Sequence, residues 1–160
     1  MKRQLSDEDY LSFIDTALDG MLSSCQELGE EAANARLDVA GSNSPYAILV
    51  HCVGVMDFWA GHKVAGRPNH RDRDAEFRAS GTLPELDELV RAGRARLAEA
   101  VANADWTAPC VGQNRPETHT RPSGRTQGGA LIHVLEELVQ HRGQLEVTAD
   151  VLRARSTESA

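Results

Sequence analysis

The chain has 160 residues, 41% of them hydrophobic and 26% charged, with a formal net charge of −7. That length suits one domain with a real core, and no apolar run reaches the roughly 18 residues that crossing a bilayer takes. The acidic balance argues against a protein that grips nucleic-acid phosphates through a basic face.

Of the 17 basic residues, all but Lys2 and Lys63 are Arg, a bias that fits a high-GC genome better than a function. The N-terminus carries Lys2 and Arg3 with no apolar block behind them, so no signal peptide is expected and a cytoplasmic location follows. Cys25, Cys52 and Cys110 are odd in number and far apart. They form neither a disulfide framework nor a cysteine zinc ribbon. Cys25 and Cys52 lie in apolar helical runs and read as small hydrophobes.

Four helical segments follow in chain order, with no convincing strand. The first runs from Asp7 to Leu28. Ser6 is its N-cap, acids fill its first turn, and Gly29 is a natural stop. Tyr10, Ile14, Ala17, Met21, Cys25 and Leu28 step along one face at intervals of three and four. The second runs from Pro45 to Ala65, with Ser44 as cap, Pro45 at the first helical position, and Gly66 and Pro68 closing it. Ile48, Cys52, Val55 and Trp59 make one row on it; His51, Val55, Phe58 and His62 make the next.

The third segment runs from Leu83 to Ala102 behind a capping box at Thr82 and Glu85. Gly93 inside it costs about 1 kcal/mol against Ala and makes it the least secure helix. The fourth runs from Thr126 to Ala154. Leu131, Val134, Leu138, His141, Leu145, Thr148 and Leu152 form its stripe, and a polar, frayed tail follows over residues 155–160. The expected fold is all-α: a four-helix bundle of residues 1–154 with long loops after its second and third helices. The first loop, 66–81, has room for a short turn of helix; the second, 105–125, carries Pro109, Pro116 and Pro122. Long connections permit neighbours that are not simply up-and-down.

Chemistry concentrates on the fourth helix. His141 lies on the apolar stripe, and Glu137, one turn earlier, leans toward the same side. A buried carboxylate without a partner costs several kcal/mol. A divalent cation is one efficient partner for a carboxylate and a neutral imidazole together. Periodicity leaves two plainer readings open: Glu137 paired with an Arg such as Arg142 or one from a loop, and His141 as a hydrogen-bonded core residue. His51, on the inward side of the second helix, is the best third ligand. His62 shares its face but lies ~16 Å further along the helix, too far to reach the same ion. His133 could be an outer neighbour or a core residue, and His70 and His119 read as surface residues in loops.

The run Leu131-Ile132-His133-Val134-Leu135-Glu136-Glu137-Leu138-Val139-Gln140-His141-Arg142-Gly143-Gln144 resembles the last-helix signature of the DinB-like superfamily. The stretch from Ala47 to Gly61, with Arg71-Asp72-Arg73-Asp74-Ala75-Glu76-Phe77, is similar to the metal-binding domain of mycothiol-dependent maleylpyruvate isomerases and mycothiol S-transferase-like proteins. The resemblance covers residues 5 to 152. It implies a DinB-like bundle and a divalent ion, zinc or sometimes nickel, on His51, Glu137 and His141. Many DinB-like proteins have His where Glu137 stands; the mycothiol-dependent branch has Glu. The isomerase has an additional C-terminal domain, and this chain stops just after its fourth helix, which sets the isomerase reaction itself apart from what is expected here.

What the resemblance then implies is an actinobacterial S-transferase, possessing mycothiol as co-substrate. Three protein ligands leave a coordination position open, and a thiol there would be held as thiolate. Arg71, Arg73 and Arg142 are candidates to hold anionic groups, with surface salt bridging as the plainer role for each. The alternative is a metal-binding stress protein without turnover; a hydrolase using bound hydroxide ranks last, for want of a general base. Expected partners are a small thiol and an electrophile, with no nucleic acid or membrane, and a second copy in a homodimer.

Overall fold

The computed structural model describes residues 5–112 and 124–158. Helix α1 spans Asp7–Asn34 and α2 spans Pro45–Met56. Helix α2 runs directly into a π-helical segment, Asp57–Val64. A short α3 covers Arg73–Glu76, α4 covers Leu83–Ala102 and α5 covers Gln127–Glu158. Among the described residues the only strand-like pairing is a single bridge between Pro109 and Thr126.

The capping chemistry expected for these helices is present. The hydroxyls of Ser6 and Ser44 accept from the amides of Asp9 and Ala47. Thr82 and Glu85 exchange both bonds of the capping box. Asp72 caps α3 through the amide of Ala75. Each satisfies amides that a helix start otherwise leaves open.

One helix end agrees with expectation and one differs. Gly29 is a stop: its backbone is non-helical, φ 77 and ψ 165, and a second short helical stretch follows it to Asn34. Glycine tolerates that conformation, and the extra turn is held because Asn34 exchanges side-chain hydrogen bonds with the backbone of Gly81 just before α4. Helix α5 continues past Ala154 to Glu158 instead of fraying at Arg155; Leu152 in its last turns is buried, which ties the end down. Residues 159–160, Pro116, Pro122 and His119 lie outside the described residues.

Helix α2 is the centre of the bundle. All its residues except Val50 and Gly54 are buried, so it is apolar all round rather than striped. It packs on α1, α4, α5 and α3, while α1 also lies against α4 and α5. Cross-links fix the directions. Tyr10 donates to the Leu131 carbonyl and Arg153 reaches Glu27, so α1 and α5 run parallel. Arg96 pairs with Asp57, and the Cα of Gly93 lies close to Val53 and Met56, so α2 and α4 run parallel too. The bundle is therefore up, down, down, up, which the long connection from residue 65 to 82 makes feasible. The core between the helices includes Ile14, Leu18, Met21, Ile48, Leu49, Met56, Leu86, Leu97, Leu131 and Leu138.

Candidate metal centre

Helices α2 and α5 cross antiparallel, which sets His51 opposite the turn from Glu137 to His141. One donor atom from each of the three residues lies within 4.8 Å of the other two. Nε2 of His51 is 3.9 Å from Oε2 of Glu137, and Nε2 of His141 is 3.4 Å from the same oxygen. The two imidazole rings meet edge to face, centroids 4.7 Å apart. Ligands about 2.0–2.2 Å from a tetrahedral ion stand roughly 3.4 Å from one another. The spacing here is at that value for one pair and slightly wider for the other.

The chemistry of the donors fits a cation better than it fits an empty polar cluster. His51 is 1% exposed, and its Nε2 has no hydrogen-bond partner among the described residues. A buried polar atom left this way costs on the order of 1–3 kcal/mol unless something completes it. Its other nitrogen, Nδ1, lies 2.8 Å from Oε2 of Glu76. Nδ1 of His141 lies 2.9 Å from Oε1 of Gln144, an acceptor that turns the proton-bearing nitrogen outward.

Electrostatics follow the same pattern. The carboxyl of Glu137 is held well below the usual carboxylate range, chiefly by His141 and then by His51, against the opposing effect of burial. His141 is raised, chiefly by Glu137, while its own burial and the charge of Arg73 pull it down. For Glu76, burial pushes the carboxyl up, but the hydrogen bonds from His51 and Arg71 outweigh it and the net shift is downward.

Of the plainer readings, the structure removes the pairing with Arg142. Among the described residues Glu137 has no Arg partner; Arg142 pairs with Glu146 at 2.7 Å, donates to the Thr16 carbonyl and packs on Gly20 of α1. The sequence gives Arg142 a place beside His141, but the helix turns it about a quarter-turn away, to the α1 side. Arg71 is also engaged, gripping Glu76 with two nitrogens. Arg73 remains near the cluster: its guanidinium lies 5.7 Å from the Phe77 ring, which in turn stacks on His51 at 4.4 Å.

The other histidines separate as distance along the helix requires. His62 turns away to the carbonyl of Arg67, at 2.7 Å. His133 stays close, with Nε2 3.4 Å from Oε1 of Glu137, but its ring packs edge-on to Trp59 and its Nδ1 pairs with Glu136. It touches the carboxylate oxygen that faces away from His51 and His141. His70 is exposed.

Sequence reasoning passed over Glu76 and Phe77 as site residues and did not foresee the π-helical segment. The first two come from a loop and a one-turn helix, where no periodicity points inward. A π segment is common beside functional sites; here it carries Trp59 onto His133. A cavity of about 410 Å³ lies beyond Arg71 and Glu76, lined in part by Val53, Phe58, Arg67 and Arg96. It does not include the three candidate ligands, so its size carries no weight in placing the centre.

Comparison with known proteins adds the family. The family model described as mycothiol S-transferase matches residues 9–157. No curated protein matches. Among solved structures, the chain is similar to a crystal structure of a conserved protein from Enterococcus faecalis, with a TM-score of 0.71 over 95% of this chain and 99% of that one, at 12% identity. At that identity the likeness speaks for the fold alone, and it agrees with an all-α bundle.

Proposed function

The chain belongs to the mycothiol S-transferase family, and from that premise we propose that it is a metal-dependent transferase joining a low-molecular-weight thiol, mycothiol, to an electrophilic small molecule. The observation that carries this reading is the Nε2 of buried His51, without a hydrogen-bond partner among the described residues and aimed at Glu137 and His141. Two imidazoles and a carboxylate suit zinc, with nickel as the second choice, and leave a position for a non-protein ligand. When bound, such an ion supplies Lewis acidity that keeps a thiol of free pKa near ~8.5 in its thiolate form at neutral pH.

The chain's own residues supply the rest. His51 anchors the set from the core, locked between Glu76 and the Phe77 ring. Glu137 brings the negative charge that a dication needs. The side chains of Glu137 and His141 are 24% and 20% exposed, so the cluster is reached from solvent along α5. Of the three candidate arginines, Arg73 is the one proposed to hold an anionic group of thiol or electrophile, because Arg71 and Arg142 are committed to Glu76 and Glu146.

In this reading the nucleophile comes from outside the chain. Burial pushes Cys25 up to about 12 and raises Cys52 further, and both are fully buried. Cys110 is raised as well, and its thiol donates to the Thr126 carbonyl.

The test is thiol consumption with a generic electrophile, using untagged protein analysed for metal. Turnover is expected with mycothiol, lost on chelation and restored by Zn²⁺. A rate that ignores metal with every cellular thiol overturns the proposal.

A further inference from the structure

Glu76 lies outside the proposed ligand set and is 8% exposed, at the end of a helix only four residues long. Nothing in its local sequence requires a carboxylate to be buried there. Arg71 holds both of its oxygens, Nε to Oε1 at 2.6 Å and Nη2 to Oε2 at 2.9 Å. A carboxylate gripped by a guanidinium in this way is ionised and can only accept hydrogen bonds. The 2.8 Å contact between Oε2 and Nδ1 of His51 therefore puts the proton on Nδ1. Nη2 of Arg71 is also 3.3 Å from Nδ1, but a nitrogen that donates to Glu76 cannot accept from Arg71, and the shorter, charge-assisted bond prevails. With the proton on Nδ1, the lone pair sits on Nε2, the atom that faces Glu137 and His141.

Gly54 belongs to the same device. It lies three residues after His51 on α2, one turn along the same side. A Cβ at Gly54 would overlap Oε1 and Cδ of Glu76. The missing side chain is what lets the carboxylate slide against α2 deeply enough to reach the His51 ring. An α2 otherwise apolar all round keeps one bare spot where Glu76 enters.

We propose that Glu76 is a positioning residue, seated over Gly54 and clamped by Arg71, that fixes the orientation and the Nδ1–H tautomer of His51 so that Nε2 offers its lone pair to the metal. The proposal rests on the metal reading above and deepens it. It follows the general pattern in which a carboxylate behind a ligating histidine raises metal affinity.

The test uses the full chain and three variants: Glu76→Ala, Glu76→Gln and Gly54→Ala. Two quantities are read: the His51 tautomer from imidazole ¹⁵N shifts of the metal-free protein, and Zn²⁺ affinity by chelator competition. In the neutral ring, wild type is expected to show Nδ1–H. Glu76→Gln keeps an acceptor and should keep that tautomer with a smaller loss of affinity. Glu76→Ala should mix the tautomers and weaken zinc about 10–100-fold, and Gly54→Ala should act in the same direction although it alters neither a ligand nor the carboxylate. An unchanged tautomer and an unchanged affinity in Glu76→Ala overturn the positioning role while leaving the metal reading intact. Wild type that fails to bind Zn²⁺ overturns both. Should Glu76→Ala not fold, Gly54→Ala decides by the same two readouts, with unchanged values counting against the proposal.

Discussion

Tyr10 and Leu131, 121 residues apart in the chain, are joined by a 2.7 Å hydrogen bond from the phenol to the backbone carbonyl at full burial. This contact ties the first turn of α1 to the first turns of α5 and so sets how far α5 slides along the bundle. The register matters for chemistry, because α5 delivers Glu137 and His141 to the level of His51. A slip of one residue would rotate both away by about 100°.

The three donors are expected to act as one set. Removing a residue that merely supports a ligand typically costs 10–100-fold in affinity, so removing a ligand should cost more than ~100-fold. His51→Ala, Glu137→Gln and His141→Ala are each predicted to pass that mark in Zn²⁺ competition with a chelator. A Glu137→Gln protein that keeps wild-type affinity would exclude the carboxylate from the set.

Zinc and protons should compete at His141. Its pKa is raised in the metal-free protein, first by Glu137. A raised histidine contributes stability that is complete below its unfolded value and is lost as pH rises through the folded value. Glu137, being depressed, contributes stability present above the unfolded carboxylate value and lost as pH falls through its folded one. Bound zinc reverses the sign at His141, since the imidazole has to be neutral to ligate. The gap in Tm between zinc-loaded and metal-free protein should therefore widen from about pH 5 to 8. Thermal scans giving a constant gap across that range would contradict a histidine-ligated ion.

Thiol labelling should separate the cysteines. Cys25 and Cys52 are fully buried with thiols pushed upward, and Cys110 is half-buried. A thiol-reactive dye at mildly alkaline pH is expected to titrate Cys110 alone, and slowly, in the native protein. All 3 Cys should react after unfolding. Fast native labelling at a second position would reopen a role for the chain's own sulfur.

Two helical glycines should respond oppositely to alanine. Gly143 is exposed on α5 with nothing within 4 Å of a Cβ, so Gly143→Ala should gain up to about 1 kcal/mol from helix propensity. Gly93 looks equally replaceable in sequence, but its Cβ would lie 2.9 Å from Cγ1 of Val53. Overpacking a stiff, buried valine costs about 1–3 kcal/mol, which cancels or exceeds the same gain. Denaturant titrations should show Gly93→Ala at or below wild-type stability. A clear stabilisation would mean that α4 can shift away from α2.

Much of this protein was legible without coordinates, because helices announce themselves locally. The caps at Ser6, Ser44 and Thr82, the proline at 45 and the three-to-four spacing of apolar residues depend only on neighbours in the chain. The turn that pairs Glu137 with His141 is legible for the same reason, since residues four apart on a helix share a face. Contacts between elements were another matter. That Arg142 leaves for α1, that Glu76 enters over Gly54, and that His62 turns to the Arg67 carbonyl are decided by how the helices cross. Gly29 shows both sides: local chemistry breaks the helix there, while the pairing of Asn34, in the short stretch beyond it, with Gly81 is a contact the local sequence does not announce. The sequence by itself determined which side chains could serve as ligands; the crossing of α2 and α5, fixed by packing around an apolar α2, decided that three of them meet.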